Sequence, residues 1–336
     1  VTVQEKPLPV RTVPARTRSR GFAFTPTVVV YLALAVLLVV GSVLVALRGG
    51  VLLDQAGLLN IFTRATALGL VAIGQTIVIL AGSLDLSVAY LVGLTSLVAA
   101  ETMAGQAGMI VPGVLLALAV AAVVGLVNGL VITVLRANAF IATLGVALVL
   151  RGYLEHNYTG PAGEVPRTFQ HLGYDRVGPV PVAALLMLGI AAMCWWLLTR
   201  SRPGYHLYAV GGDLEVARLS GVRTRRTIVT AHVLCSVAAG LAGIYLASRL
   251  GSGAPYVGTD AGFDLESIAA VVLGGTLLAG GRGGVVGTIG GVFILATLDT
   301  VFDDLAVDPF FKDVVRGVVL VTAVALYARR TVRRQS

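Results

Sequence analysis

A chain that hydrolyses nucleotide needs a phosphate loop, Gly-x-x-x-x-Gly-Lys-Ser/Thr. This chain has only two lysines, Lys6 and Lys312, and neither stands in that setting. Its four histidines, His156, His171, His206 and His232, are scattered and never form His-Glu-x-x-His. No serine is framed as Gly-x-Ser-x-Gly. Cys194 and Cys235 lie inside apolar runs and read as small buried hydrophobes, not as a disulfide framework or a metal site. The expectation is therefore no enzyme, no metal and no cofactor held by this chain. What chemistry remains rests on polar residues in apolar surroundings: Gln75, Asp85, Ser87, Asn128, Asn138 and Thr143, with Asp299 the other acid near the interior of an apolar run. Such groups must either pair or border a wet path. Interhelical hydrogen bonding and helix capping account for them as well as a translocation pathway does.

The elements that must position these residues are membrane helices. Of 336 residues, 57% are hydrophobic and 12% charged, against about 25% charged in a typical soluble domain. That balance excludes an ordinary soluble enzyme, a disordered chain and a nucleic-acid-binding domain, and makes the lipid bilayer the natural solvent. The net charge of +8 does not point to a polyanion, because the arginines lie between long apolar runs.

A span needs about 20 predominantly apolar residues. Uncharged runs cover 27–47, 65–84, 102–135, 177–199 and 227–248, with shorter ones at 86–100, 137–150, 267–281, 283–298 and 317–328. The fold class is all-α: a polytopic membrane protein of about ten helices with broken or re-entrant segments, eight helices plus re-entrant segments being the other fit. Residues 1–26 read as a flexible basic tail, 27–328 as the transmembrane domain and 329–336 as a second basic tail. With an even number of spans and a cytoplasmic amino terminus, both tails, the 200–226 loop, Arg136 and Arg282 fall inside. Asp54, Glu101, Glu164, Asp175, Asp260, Asp303, Asp304 and Asp308 then fall outside. The first run is longer than a signal-peptide core and is read as a retained helix.

Gly125 and Gly129 share one helical face, and Gly283, Gly287 and Gly291 are expected to share another, as small residues do where helices pack closely. Leu80-Ala81-Gly82-Ser83 and Leu278-Ala279-Gly280-Gly281 look alike, which fits an internal duplication. In the 200–226 loop, Asp213 fits a helix N-cap, Glu215 the positive helix start and Gly221 a stop. They predict a helix of about two turns, either a docking element or an ordered connector.

At Gly212-Asp213-Leu214-Glu215-Val216-Ala217-Arg218-Leu219-Ser220-Gly221 the sequence resembles the permease subunits of ATP-binding-cassette importers of the ribose and monosaccharide type. The same family is matched by Leu84-Asp85-Leu86-Ser87-Val88, by Ala139-Phe140-Ile141-Ala142-Thr143-Leu144 with Leu150-Arg151-Gly152, and by Phe263-Asp264-Leu265-Glu266-Ser267-Ile268-Ala269-Ala270 leading to Gly274-Gly275-Thr276. The resemblance implies that Gly212, Asp213, Glu215, Ala217, Arg218, Leu219, Ser220 and Gly221 form a coupling helix that docks on a cytosolic ATPase subunit. That subunit would bind the ATP and magnesium. It also implies an extracytoplasmic solute-binding protein, a second permease subunit (the same chain or a sister), a sugar substrate and a bacterial plasma membrane.

The expected pathway residues are Gln75, Asp85, Ser87, Asn128, Asn138 and Thr143. Phe140 joins them as a sugar-stacking or gating side chain, with core packing as its other role, and Gly274, Gly275 and Thr276 as a helix break facing the pathway. A branched-chain amino acid or nucleoside permease is the neighbouring reading. An ion-coupled carrier and a signalling or structural membrane protein are the readings from other classes.

Overall fold

The computed structural model describes residues 25–308 and, after them, 310–312, 314, 315, 317 and 318. The expected amino-terminal tail up to residue 24, most of the 317–328 run and the carboxyl-terminal tail lie outside the described residues.

Helices follow the apolar runs in chain order: α1 (Pro26–Leu47), α2 (Gln55–Leu80), α3 (Val88–Met103), α4 (Ile110–Val134), α5 (Ala139–Asn157), α6 (Arg167–Tyr174), α7 (Val182–Arg200), α8 (Arg202–Gly212), α9 (Leu214–Leu219), α10 (Thr224–Leu250), α11 (Val257–Asp260), α12 (Phe263–Leu273) and α13 (Val285–Asp304). Among the described residues seven are long and apolar enough to cross a membrane: α1, α2, α4 with its leading turn, α5, α7, α10 and α13. The apolar α3 and α12 are shorter, at 16 and 11 residues. A two-residue hairpin, Arg176–Val177 with Val180–Pro181, precedes α7.

α2 lies at the centre, packed by α10, α13, α12 and α7; α3 and α4 close against α10, and α1 against α13. The contact of α4 with α10 is tight because it is made through glycine. A Cβ on Gly129 would sit 2.7 Å from the Val229 Cα, and one on Gly125 would sit 2.6 Å from the His232 carbonyl. The small-residue face thus packs within the chain.

Two breaks interrupt the bundle. The first, residues 81–87, separates α2 from α3. The second corrects an expectation: the 267–281 run is not one span, because α12 stops at Leu273 and Gly275 takes a positive φ of 85° that ends the helix. Gly283 accordingly lies in the following loop, not on a helix with Gly287 and Gly291. The look-alike segments meet across these breaks. Gly281 N donates to Leu80 O at 3.1 Å, and a Cβ on Gly280 would lie 2.8 Å from the Gly82 Cα. The last turn of α8 is wedged beneath them, where a Cβ on Gly211 would lie 1.9 Å from Leu80 O and 2.7 Å from Gly281 N. Tyr208, also on α8, donates its hydroxyl to Gly283 O at 2.9 Å. Burial raises its phenol pKa, so it stays a protonated donor.

The bundle's two ends differ in charge. Arg200, Arg202, Arg218, Arg223, Arg225 and Arg226 surround α8 and α9, joined by Arg282 beside Gly211–Gly212 and Arg136 at the end of α4. The opposite end carries Asp54, which caps α2, Asp303, which pairs with Arg64 and Lys312, and Glu101, which accepts from the Tyr158 hydroxyl at 2.9 Å. Asp260 corrects its expected place among these loop acids. From Gly253, packed on Leu97, the chain descends along α3 until Gly258 meets Ala89, 14 residues below Met103. At 1.5 Å per residue that is about 20 Å into the bundle.

Candidate functional site

Two features stand out: a projecting helix at the arginine-rich end and a sealed polar cluster inside the bundle. The projection is α9. Asp213 Oδ1 accepts from Glu215 N and Val216 N, both at 2.9 Å, and so caps the helix start. Gly221 closes it with φ 83°, its N–H reaching Arg218 O while Val222 N reaches Ala217 O. Ala217 alone is buried, turned toward the bundle. Around it Leu214, Val216 and Leu219 are 51%, 57% and 78% exposed, so apolar side chains alternate with Glu215 and Arg218 on the outward side of the helix. Glu215 and Arg218 form an exposed pair at 3.8 Å. A pair of that kind contributes little to stability, about 0–1 kcal/mol, so both charges are free to engage another molecule. Gly212 presents its Cβ direction to open space, and Ser220 ends α9 on the exposed side.

The interior cluster gathers side chains far apart in sequence. Asp85 Oδ1 accepts from Ser87 N at 2.9 Å and Ser87 Oγ at 2.5 Å. Asn128 Nδ2, on α4, reaches both Asp85 oxygens at 3.3 and 3.2 Å and Ser87 Oγ at 2.9 Å. His232, on α10, places Nδ1 3.4 Å from Asp85 Oδ2 and Nε2 2.8 Å from Ser83 Oγ. With Nδ1 protonated, the ring donates to the carboxylate and accepts from the serine. Gln75 Nε2 donates to Asp85 O at 3.3 Å, and Leu86 N to Thr143 Oγ1 at 3.2 Å. All these residues are buried. A lone carboxylate there would cost several kcal/mol, and the ring of donors offsets that cost.

Five of the expected pathway residues, Gln75, Asp85, Ser87, Asn128 and Thr143, therefore come together around the first break. Asn138 and Phe140 do not join them. Asn138 caps α5, accepting from Phe140 N at 2.9 Å, and Phe140 is half-exposed on the α5 surface. Thr276 lies in the second break, where its Oγ1 accepts from Gly284 N at 3.2 Å; Gly274 and Gly275 are buried beside it. Gly274 is packed so closely on the start of α13 that a Cβ would lie 2.4 Å from the Gly287 carbonyl carbon.

Reasoning from sequence missed Ser83 and His232, which are 149 residues apart. A histidine inside an apolar run was the only available signal. The first turn of α12 served only as a motif of the resemblance, and its acids were given no role. Asp264 and Glu266 flank the exposed Leu265 directly after the descending segment that carries Asp260.

The family model described as "Branched-chain amino acid transport system / permease component" matches residues 57–324. The chain is 38% identical over 272 residues to the ribose import permease protein RbsC of Escherichia coli (strain K12), covering 80% of this chain and 84% of that protein. It is 37% identical over 313 residues to RbsC of Bacillus subtilis (strain 168), covering 90% and 92%. The galactose/methyl galactoside import permease protein MglC of Haemophilus influenzae is 30% identical over 310 residues, covering 87% and 91%. No solved structure matches.

Proposed function

The chain belongs to the branched-chain amino acid transport system / permease component family, and from that premise we propose that it is the membrane subunit of an ATP-driven importer that carries a monosaccharide. It is a multi-pass inner-membrane transport subunit, and the ATPase is a separate chain. The relatives named for ribose and for galactose support a sugar over an amino acid. In this reading α9 and the arginine-rich end face the cytoplasm, as the positive-inside rule favours. The cytosolic ATPase subunit holds ATP and magnesium and grips α9, and an extracytoplasmic binding protein delivers the sugar at the opposite end.

The observation that carries the proposal is α9: capped at both ends, exposing Leu214, Val216 and Leu219 beside Glu215 and Arg218, and rooted through α8 on both helix breaks. Nucleotide-driven movement of the ATPase pair would pull α9, and the Gly211 seat would pass that displacement to Leu80 and Gly281. The pathway would run beside a second permease subunit. Asp260, Asp264 and Glu266 lie on a segment inside the membrane, and charge at that depth belongs against water or protein, not lipid. In this reading Asn138 and Phe140 on α5, and Gly274, Gly275 and Thr276 at the break, also serve the pathway.

The test is co-reconstitution with the ATPase and binding protein. Glu215→Ala/Arg218→Ala should insert normally and bind the ATPase weakly, with sugar uptake lost. Uptake at the wild-type rate refutes the coupling-helix reading. Liposomes holding the permease without the ATPase should accumulate no sugar against a gradient.

A further inference from the structure

A groove of about 600 Å³ opens at the arginine-rich end, bounded by α7, α8 and α10, separate from the polar cluster and bordered by Gly221, which closes α9. Its α10 wall is Arg223, Arg226, Thr227, Thr230, Ala231 and Leu234. These positions recur at intervals of three and four, so they form one stripe along the helix. The stripe is graded: two guanidiniums at the helix start, then two hydroxyl-bearing threonines, then alanine and leucine. The α8 wall adds His206 over Pro203 and the buried Leu207, and Leu197 of α7 closes the apolar floor. No carboxylate borders the groove, and among the described residues neither Arg223 nor Arg226 has an ion-pair partner.

We propose that this groove is a binding site for an anionic phospholipid of the adjoining leaflet. The polarity gradient of the stripe repeats that of the lipid. Arg223, Arg226 and His206 would meet the phosphate and headgroup, the Thr230 hydroxyl the glycerol ester region, and Leu197, Ala231 and Leu234 the upper acyl chain. The amino-terminal end of α10 adds its partial positive charge to the two arginines. Basic pockets between membrane helices at the headgroup level select anionic lipid by this chemistry. Depth favours lipid over a protein occupant. Leu234 lies ten residues beyond Thr224, about 15 Å along the helix axis, at hydrocarbon level and out of reach of a cytosolic subunit. A bound lipid would brace α8 against α10, the two helices that flank α9.

The experiment is native mass spectrometry of the delipidated full chain in neutral detergent. Phosphatidylglycerol, phosphatidylcholine and inorganic phosphate are added separately. Phosphatidylglycerol should form a retained one-to-one adduct, while phosphatidylcholine and free phosphate should not. Arg223→Gln/Arg226→Gln should weaken the adduct roughly ten- to thirtyfold, and the Arg→Lys pair should keep most of it. Both arginines are exposed, so the fold should survive; Leu234→Trp, which fills the floor while keeping the charges, should exclude the lipid by a second route. The proposal is overturned if phosphatidylcholine binds as tightly, if free phosphate competes fully, if both variants keep wild-type affinity, or if assembly with the ATPase displaces the lipid.

Discussion

Replacing Gly211 with alanine tests whether the α8 seat transmits motion. The added Cβ would lie 1.9 Å from Leu80 O, 2.7 Å from Gly281 N and 2.9 Å from the Leu80 carbonyl carbon. All three are backbone atoms, which cannot swing aside as a flexible side chain would. A carbon needs about 3.4 Å from a carbonyl oxygen, so α8 must withdraw by about 1.5 Å. Overpacking of this kind costs about 1–3 kcal/mol. Losing the Gly281–Leu80 hydrogen bond adds about 0.5–1.5 kcal/mol, for a total of about 1.5–4.5 kcal/mol concentrated at one contact. Far-UV circular dichroism should show an intact helical bundle. The assay is sugar uptake per ATP hydrolysed in proteoliposomes containing the full importer, and the ratio should fall at least tenfold. Gly189→Ala, on α7, is the control, because its Cβ meets open space; it should transport normally. Tyr208→Phe removes the bond to Gly283 O without adding volume and should give a partial loss. A Gly211→Ala importer that keeps the wild-type ratio would show that the seat transmits nothing.

Two further outcomes follow from the interior. His232→Leu leaves Asp85 and Ser83 each without one hydrogen-bond partner; breaking one member of such a buried polar network costs about 3–5 kcal/mol, read as a clear drop in the detergent melting temperature, whereas His232→Gln should recover part of it. Cys194 and Cys235 are both buried and unpaired. A membrane-impermeant maleimide should leave the folded chain unlabelled and modify both thiols only after denaturation.

How much was legible in the sequence depended on how locally each feature is encoded. The caps of α9 were legible because Asp213 and Gly221 act on neighbours within four residues. The end of α12 was announced by Gly274-Gly275, although the 267–281 run still read as a span, since hydropathy does not register a change of backbone direction. Asp260 was misplaced for a related reason. An acid between two apolar runs reads as a surface loop, and only the packing of Gly258 on Ala89 and of Gly253 on Leu97 carries that segment into the bundle. The Asp85 cluster was legible only as a set of isolated polar residues. Its partners lie 43 and 147 residues away on α4 and α10, and no periodicity links positions brought together only by helix packing.

That cluster gives α9 a second route into the membrane. One route runs back through α8, whose Gly211 rests against Leu80, the last residue of α2. The other runs forward through residues 220–223 into α10, where His232, about two turns along, grips Ser83 and Asp85. Both routes end on the same short stretch, residues 80–85, so perturbing them should not act independently. Mutations at separate sites add in free energy, whereas those sharing an element show coupling of about 0.5–3 kcal/mol. In the uptake-per-ATP assay, Gly211→Ala combined with His232→Gln should therefore lose clearly less than the product of the two single losses, because the first substitution has already freed the stretch on which the second acts. Losses that multiply would mean the two contacts serve different movements, and the 80–85 stretch would not be the point where the pull on α9 enters the bundle.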